Sequence, residues 1–233
     1  MIKSRSIYRN KVTCLSVVLV LAFVLSPWLS RIQAQCDDLT YSTRRDRARE
    51  IIHSLQKDGV LAVRLEGFGK QLAEIERRLA AEDMTPKSVK ALEEKKAYYL
   101  QERQRDFHLY KRAFEEHFNF SRIAFYYDFN QELIDQSNAP IWLDSSGVGE
   151  RRPDVSGHVA LILAEGLTPE SGLHAFLVRN KEFQPVCPPL PQYFRKNRFT
   201  TLWYFGERAR EKKAEKLVQD VQNALEMTSK RIR

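Results

Sequence analysis

Apolar positions recur along this chain in two rhythms. Between Tyr41 and Lys57, Ala48, Ile51, Ile52 and Leu55 fall on one stripe and Arg44, Arg45, Arg47 and Arg49 largely on the other, the spacing of an amphipathic helix. Asp58-Gly59 ends it. Residues 60–65 (VLAVRL) are short and rich in β-branched side chains, as a buried strand requires, and Gly67 and Gly69 close the run. Phe68, Leu72, Ile75 and Leu79 then recur at the spacing of one helical face. Thr85 is suited to cap a further helix and Pro86 to open its first turn. After Pro86 there is no Gly or Pro before Pro140, and helical character continues to about Phe118, a length of roughly 50 Å at the α-helical rise. Leu92, Tyr99, Phe107, Tyr110, Phe114 and Phe118 follow its apolar face. Residues 67–118 therefore predict an antiparallel α-hairpin whose shorter arm leaves part of the aromatic stripe to pack elsewhere.

A sheet is the expected partner. Residues 121–129 are aromatic and contain no breaker, and 157–165 and 173–179 are two more strands joined by a Gly-bounded loop, as in an antiparallel pair. Ile141-Trp142-Leu143 reads as a short edge strand, 144–154 as an exposed loop, and 200–205 as a last strand. Four prolines within 185–191 exclude a helix interior or a central strand there. From Glu207 to the end, Ala209, Ala214, Leu217, Val218, Val221 and Leu225 mark the inward side of a terminal helix. The fold class is α/β (α+β): one mixed sheet of four to five strands with packed helices, the hairpin and a C-terminal helix. The element order is similar to that of thioredoxin-like folds, a βαβ unit followed by a ββα unit. No Cys-x-x-Cys accompanies it, and the order alone implies no redox activity.

The first residues change the reading of the charge. Lys3, Arg5, Arg9 and Lys11 precede an apolar run from Val12 to Leu25, the two parts of a secretory signal, and a cut after Ala34 would start the mature domain (35–233) at Gln35. Two rival readings remain. Residues 12–29 could stay as a membrane anchor, since about 20 residues span a bilayer, or the chain could be lipidated at Cys36, although Gln33 and Gln35 fit that poorly. All three export the domain. The whole chain carries 38 Lys+Arg against 30 Asp+Glu, a formal +8 that invites a nucleic-acid partner. Segment 1–34 holds five of the basic residues and no acidic one, which leaves the domain at +3. The excess is thus mostly export signal, and nucleic acid is not an expected partner.

Candidate chemistry is sparse. Cys36 and Cys187 are the two cysteines outside the signal; in an oxidising compartment they either pair or remain separate thiols. His158 and His174 flank strands, and the first weakly resembles the histidine-bearing strand of NlpC/P60-type cell-wall peptidases, in which an earlier cysteine is the nucleophile. Cys36 would have to fill that role, beside Asp37 and Asp38, which would raise a thiol pKa. The catalytic alternative is therefore Cys36, His158 and His174, against the simpler view of strand-end packing residues. No metal-ligand spacing, phosphate loop or nucleophile elbow is present, so neither a metal nor a cofactor is expected. The aromatic residues from Phe107 to Phe129 could form a carbohydrate platform but have the spacing of a core. Arg195, Lys196 and Arg198 open a tract, 191–233, with eleven basic and five acidic residues, a candidate contact surface for anionic lipid or lipopolysaccharide, or simply a solvated helix.

Residues 59–65 (GVLAVRL), 118–127 (FNFSRIAFYY), 176–183 (FLVRNKEF) and 190–194 (LPQYF) together resemble a family of exported proteins from Bacteroidota. The resemblance brings no catalytic residues. The expectation is an exported, noncatalytic protein of the periplasm or cell envelope that acts through protein contacts made by the α-hairpin and the basic terminal helix. An envelope hydrolase and a membrane-anchored interaction protein are the alternatives.

Overall fold

The structure is a computed structural model that describes residues 36, 38–81, 84–130, 141–151, 153–168, 170–196 and 206–233. The expected signal (1–34), Arg198 and the strand expected at 200–205 lie outside the described residues. Helix α1 (Tyr41–Lys57) leads into β1 (Val60–Leu65), which is followed by α2 (Gly69–Leu79), α3 (Pro86–His117) and β2 (Arg122–Tyr127). After a 3-10 turn come β3 (Ile141–Leu143), β4 (Gly149–Arg151), the short α4 (Pro153–Ser156), β5 (Val159–Leu167), β6 (His174–Arg179), β7 (Tyr193–Arg195) and α5 (Gly206–Ile232).

Five strands form one sheet in the order β2-β1-β5-β6-β7. β1 runs parallel to β2 and β5, and β6 is antiparallel to β5 and β7, so the sheet is mixed. The α2–α3 hairpin is the crossover between the parallel strands β1 and β2. Its geometry follows from local chemistry: the Thr85 side chain accepts from the Ser88 N–H, and Pro86 sits where its missing N–H costs nothing. Lys96 bridges to Glu76 at 2.8 Å and Phe68 lies 5.1 Å from Tyr99, which holds the two arms side by side.

The shorter arm covers only part of α3. The fully buried residues of α3, which are Phe107, Tyr110, Ala113 and Phe114, all lie beyond its midpoint and pack on the sheet and on α5. Alternation in the strands divides the interior. Leu61, Val63, Leu65, Phe125, Leu161 and Leu163 meet α1, α3 and α5, whereas Val60, Ala62, Ala124, Tyr126, Ile162 and Ala164 meet Trp142, Val155 and Phe183 on the other face. Burial on both faces is what a parallel core strand needs, and it explains the unbroken apolar run of β1.

Two sequence expectations are refined and one strand is added. Ile141–Leu143 is the short edge strand expected, but it pairs antiparallel with β4 in a separate two-stranded sheet. There Trp142 is fully buried, with its ring edge-on to Tyr126 at 5.5 Å. Residues 144–154, expected to be a plain loop, hold β4 and the start of α4, with the turn between β3 and β4 fixed by Asp144, whose carboxylate accepts from the Ser146 and Val148 N–H groups. Finally, the stretch after the prolines contributes β7, which completes the sheet beside β6.

Candidate functional site

The three parallel strands β1, β2 and β5, and β7, which runs in the same direction, end on one edge of the sheet. At those ends stand Glu66 after β1, Glu165 within the last paired residues of β5 and Lys196 after β7. Open α/β sheets take their ligands outside the carboxyl ends of their strands. At this edge a cleft of about 450 Å³ lies between α3 and α5, within the size range of small-molecule sites. Phe68, Tyr99, Asp106 and Tyr110 line it from the hairpin side, and Arg195, Arg210, Lys213 and Leu217 from β7 and α5.

Its floor is a compact polar cluster. Lys196 pairs with Glu165, and both side chains are largely buried. The Lys196 ammonium also lies 5.1 Å from the Tyr110 ring centroid and 4.8 Å from that of Phe176, so two aromatic faces flank the charge. Burial works against this ammonium, but Tyr110 and the Glu165 carboxylate more than reverse that and hold its pKa above the ordinary lysine value. Burial pushes the Tyr110 hydroxyl up to about 12. Asp106, one turn before Tyr110, is also raised, first by burial and then by the Glu165 charge, with Lys196, Arg210 and Arg105 opposing. Glu102, a further turn back, is held by Arg105 and by Arg210 of α5 at 3.3 Å, a link across the cleft between the two helices.

The rim contains a conformational oddity. Phe68 adopts the left-handed conformation (φ 56, ψ 26) at the start of α2, between Gly67 and Gly69. For a bulky L-residue this costs about 1–2 kcal/mol. The strain holds an aromatic ring against Tyr99 at the cleft.

The residues singled out in the sequence are distributed differently. His158 precedes β5 and its carbonyl accepts from the Val60 N–H; His174 opens β6 opposite Leu167, the last residue of β5. At the strand rise these two histidines are about 30 Å apart and cannot share a substrate. Cys36 and Cys187 are both disulfide-bonded, which leaves neither sulfur as a thiolate nucleophile. Of the basic trio, Arg195 is exposed at the cleft, whereas Lys196 faces inward to Glu165. The aromatic residues Phe107, Phe114, Phe118 and Phe125 are core, as their spacing predicts, and Tyr110 also serves the cleft.

Sequence reasoning missed the cleft itself. Glu102, Asp106 and Tyr110 stand at steps of four, and Glu165 interrupts an otherwise apolar strand; both were visible signs. One further cluster is new: Glu116, His117 and Glu215 bring one ligand atom each within 4.8 Å of one another at the surface. Among the described residues no helix is long and apolar enough to cross a membrane. No protein-family model matches the chain, and neither does any curated protein or solved structure.

Proposed function

We propose that this is an exported, noncatalytic binding protein of the cell envelope, and that its ligand enters the cleft between α3 and α5. The cleft carries the reading. The hairpin and the terminal helix, the two elements expected to make contacts, face one another across it, and aromatic and charged side chains converge there. The charged groups of the floor are engaged with each other, which suits a fixed recognition surface better than a reacting centre. Export rests on segment 1–34 and is supported by the disulfide-bonded cysteines, because disulfides persist outside the reducing cytosol.

The test uses the exported protein purified from an envelope fraction. Mass spectrometry is expected to find Gln35 at its N-terminus; an intact residue 1–34 segment in the membrane fraction would replace cleavage by anchoring, and recovery from the cytosol would overturn export. Low-molecular-mass envelope extracts are then added while thermal unfolding is followed. A ligand at a hundredfold excess over its Kd adds about 2.7 kcal/mol, several degrees for a chain of this size. The shift is expected in the native protein and not in Lys213→Glu. No shift with any extract would overturn the binding reading.

A further inference from the structure

Resting on that binding reading, we infer that the cleft takes an acidic saccharide, a small sugar ring bearing a carboxylate or phosphate. The two walls differ in chemistry. One is cationic: Arg195 closes β7, and Arg210, Lys213 and Lys216 follow at successive turns of α5. Glu102 engages Arg210, and Asp220 lies 3.6 Å from Lys216. Arg195 and Lys213 form no ion pair among the described residues, so the wall keeps positive charge for an anion.

The opposite wall is aromatic. Phe68, Tyr98 and Tyr99 stand together, with centroids 5.1 Å apart for Phe68 and Tyr99 and 5.8 Å for the two tyrosines. Tyr98 remains 47% exposed, an open ring on a helix whose other aromatic residues turn inward. The C–H face of a sugar packs on such rings while its hydroxyls point outward at the edge, where Glu66, Glu102 and Asp106 supply oxygen acceptors. An acyl chain would meet Arg195, Arg210, Lys213 and Lys216 on a wall where only Ala214 and Leu217 are apolar, and a bare anion would leave the rings unused.

The Asp106 carboxyl tunes the site. It is faced by Arg105 and Tyr110 on its own helix, Tyr127 on β2, Glu165 on β5, Lys196 beyond β7 and Arg210 on α5. While protonated it donates a hydrogen bond and carries no charge. Once ionised it repels the ligand anion, so affinity should fall as pH rises through its raised pKa, and Asp106→Asn should flatten that dependence.

Calorimetric titration of the mature protein with D-glucuronate and glucose 6-phosphate tests the inference, with D-glucose, glucosamine, inorganic phosphate and adenosine monophosphate as the other arms. The acidic sugars are expected to bind at least about tenfold more tightly than the rest, and Lys213→Glu and Arg195→Glu to lose about tenfold or more. Phe68→Gly should lose binding with little change in thermal midpoint, because relief of the left-handed strain offsets the lost ring contact. Equal or tighter binding of glucose, glucosamine, phosphate or the nucleotide would overturn the ligand class. So would silence from all six probes; whether binding itself then survives is decided separately by the envelope-extract shift.

Discussion

Gln222 of α5 and Asn119 just beyond α3 hold each other twice. The Gln222 amide nitrogen donates to Asn119 Oδ1 at 2.7 Å, and its amide oxygen accepts from the Asn119 backbone N–H at 3.1 Å. Gln222 is buried, so the pair fixes the exit of the long helix to the terminal helix by hydrogen bonds that water cannot easily replace. Gln222→Leu removes both partners of Asn119 and should cost about 1–3 kcal/mol. Urea unfolding would show a lower midpoint at unchanged slope, and an unaltered midpoint would refute the clamp.

Lys196 and Glu165 set a stricter test. Removing one member of a buried ion pair leaves the other uncompensated, typically at about 3–5 kcal/mol, whereas replacing both is far milder. Lys196→Met should therefore be severely destabilising, and Lys196→Met combined with Glu165→Gln should recover most of the loss. A double-mutant cycle measures this, and additive losses would mean that the two charges do not depend on each other.

Asp106 links stability to pH. Its raised pKa means that the folded chain holds the proton more tightly than the unfolded chain does, so its contribution is present below the ordinary aspartate value and disappears as pH rises through the folded one. Above its raised folded value an ionised Asp106 is thus a burden. Asp106→Asn should be more stable than the native protein at pH 7, and the gap should narrow toward pH 4. Thermal unfolding across that interval gives the sign directly.

Gly59 illustrates a backbone constraint. Its N–H donates to the Ser54 carbonyl at 2.7 Å, and a Cβ at this position would lie 2.5 Å from that oxygen and 2.7 Å from Leu55 Cα. Neither neighbour is the free end of a side chain. Gly59→Ala should cost about 1–3 kcal/mol, read from the denaturation midpoint.

How far the sequence could be read depended on whether a feature was local. The hairpin was legible because its period, the Thr85 cap and Pro86 are all written within the segment, and the aromatic stripe announced a core because Phe107, Phe114 and Phe118 share one face. The small sheet around Trp142 was missed for the opposite reason: its strand was legible, but three residues have no period, and only pairing with Gly149–Arg151, itself hidden in a polar stretch, defines the sheet. The cleft was least legible, since Phe68, Asp106, Glu165, Lys196 and Arg210 come from five separate elements or connections and converge only through the strand order. Lys196 shows the effect most plainly. In sequence it belongs to a basic tract, and in the fold it is the buried partner of a strand carboxylate.

The position of β1 at the centre of the parallel strands has a consequence for the order of events in folding. Val60–Leu65 finds one neighbour at Arg122–Tyr127 and the other in β5, so each side stays unpaired until about sixty and then about one hundred further residues have arrived. Assembly that depends on such distant pairings is slow. The leading strand cannot be locked into its sheet by anything nearby, so the core of the sheet closes only once the chain reaches β5.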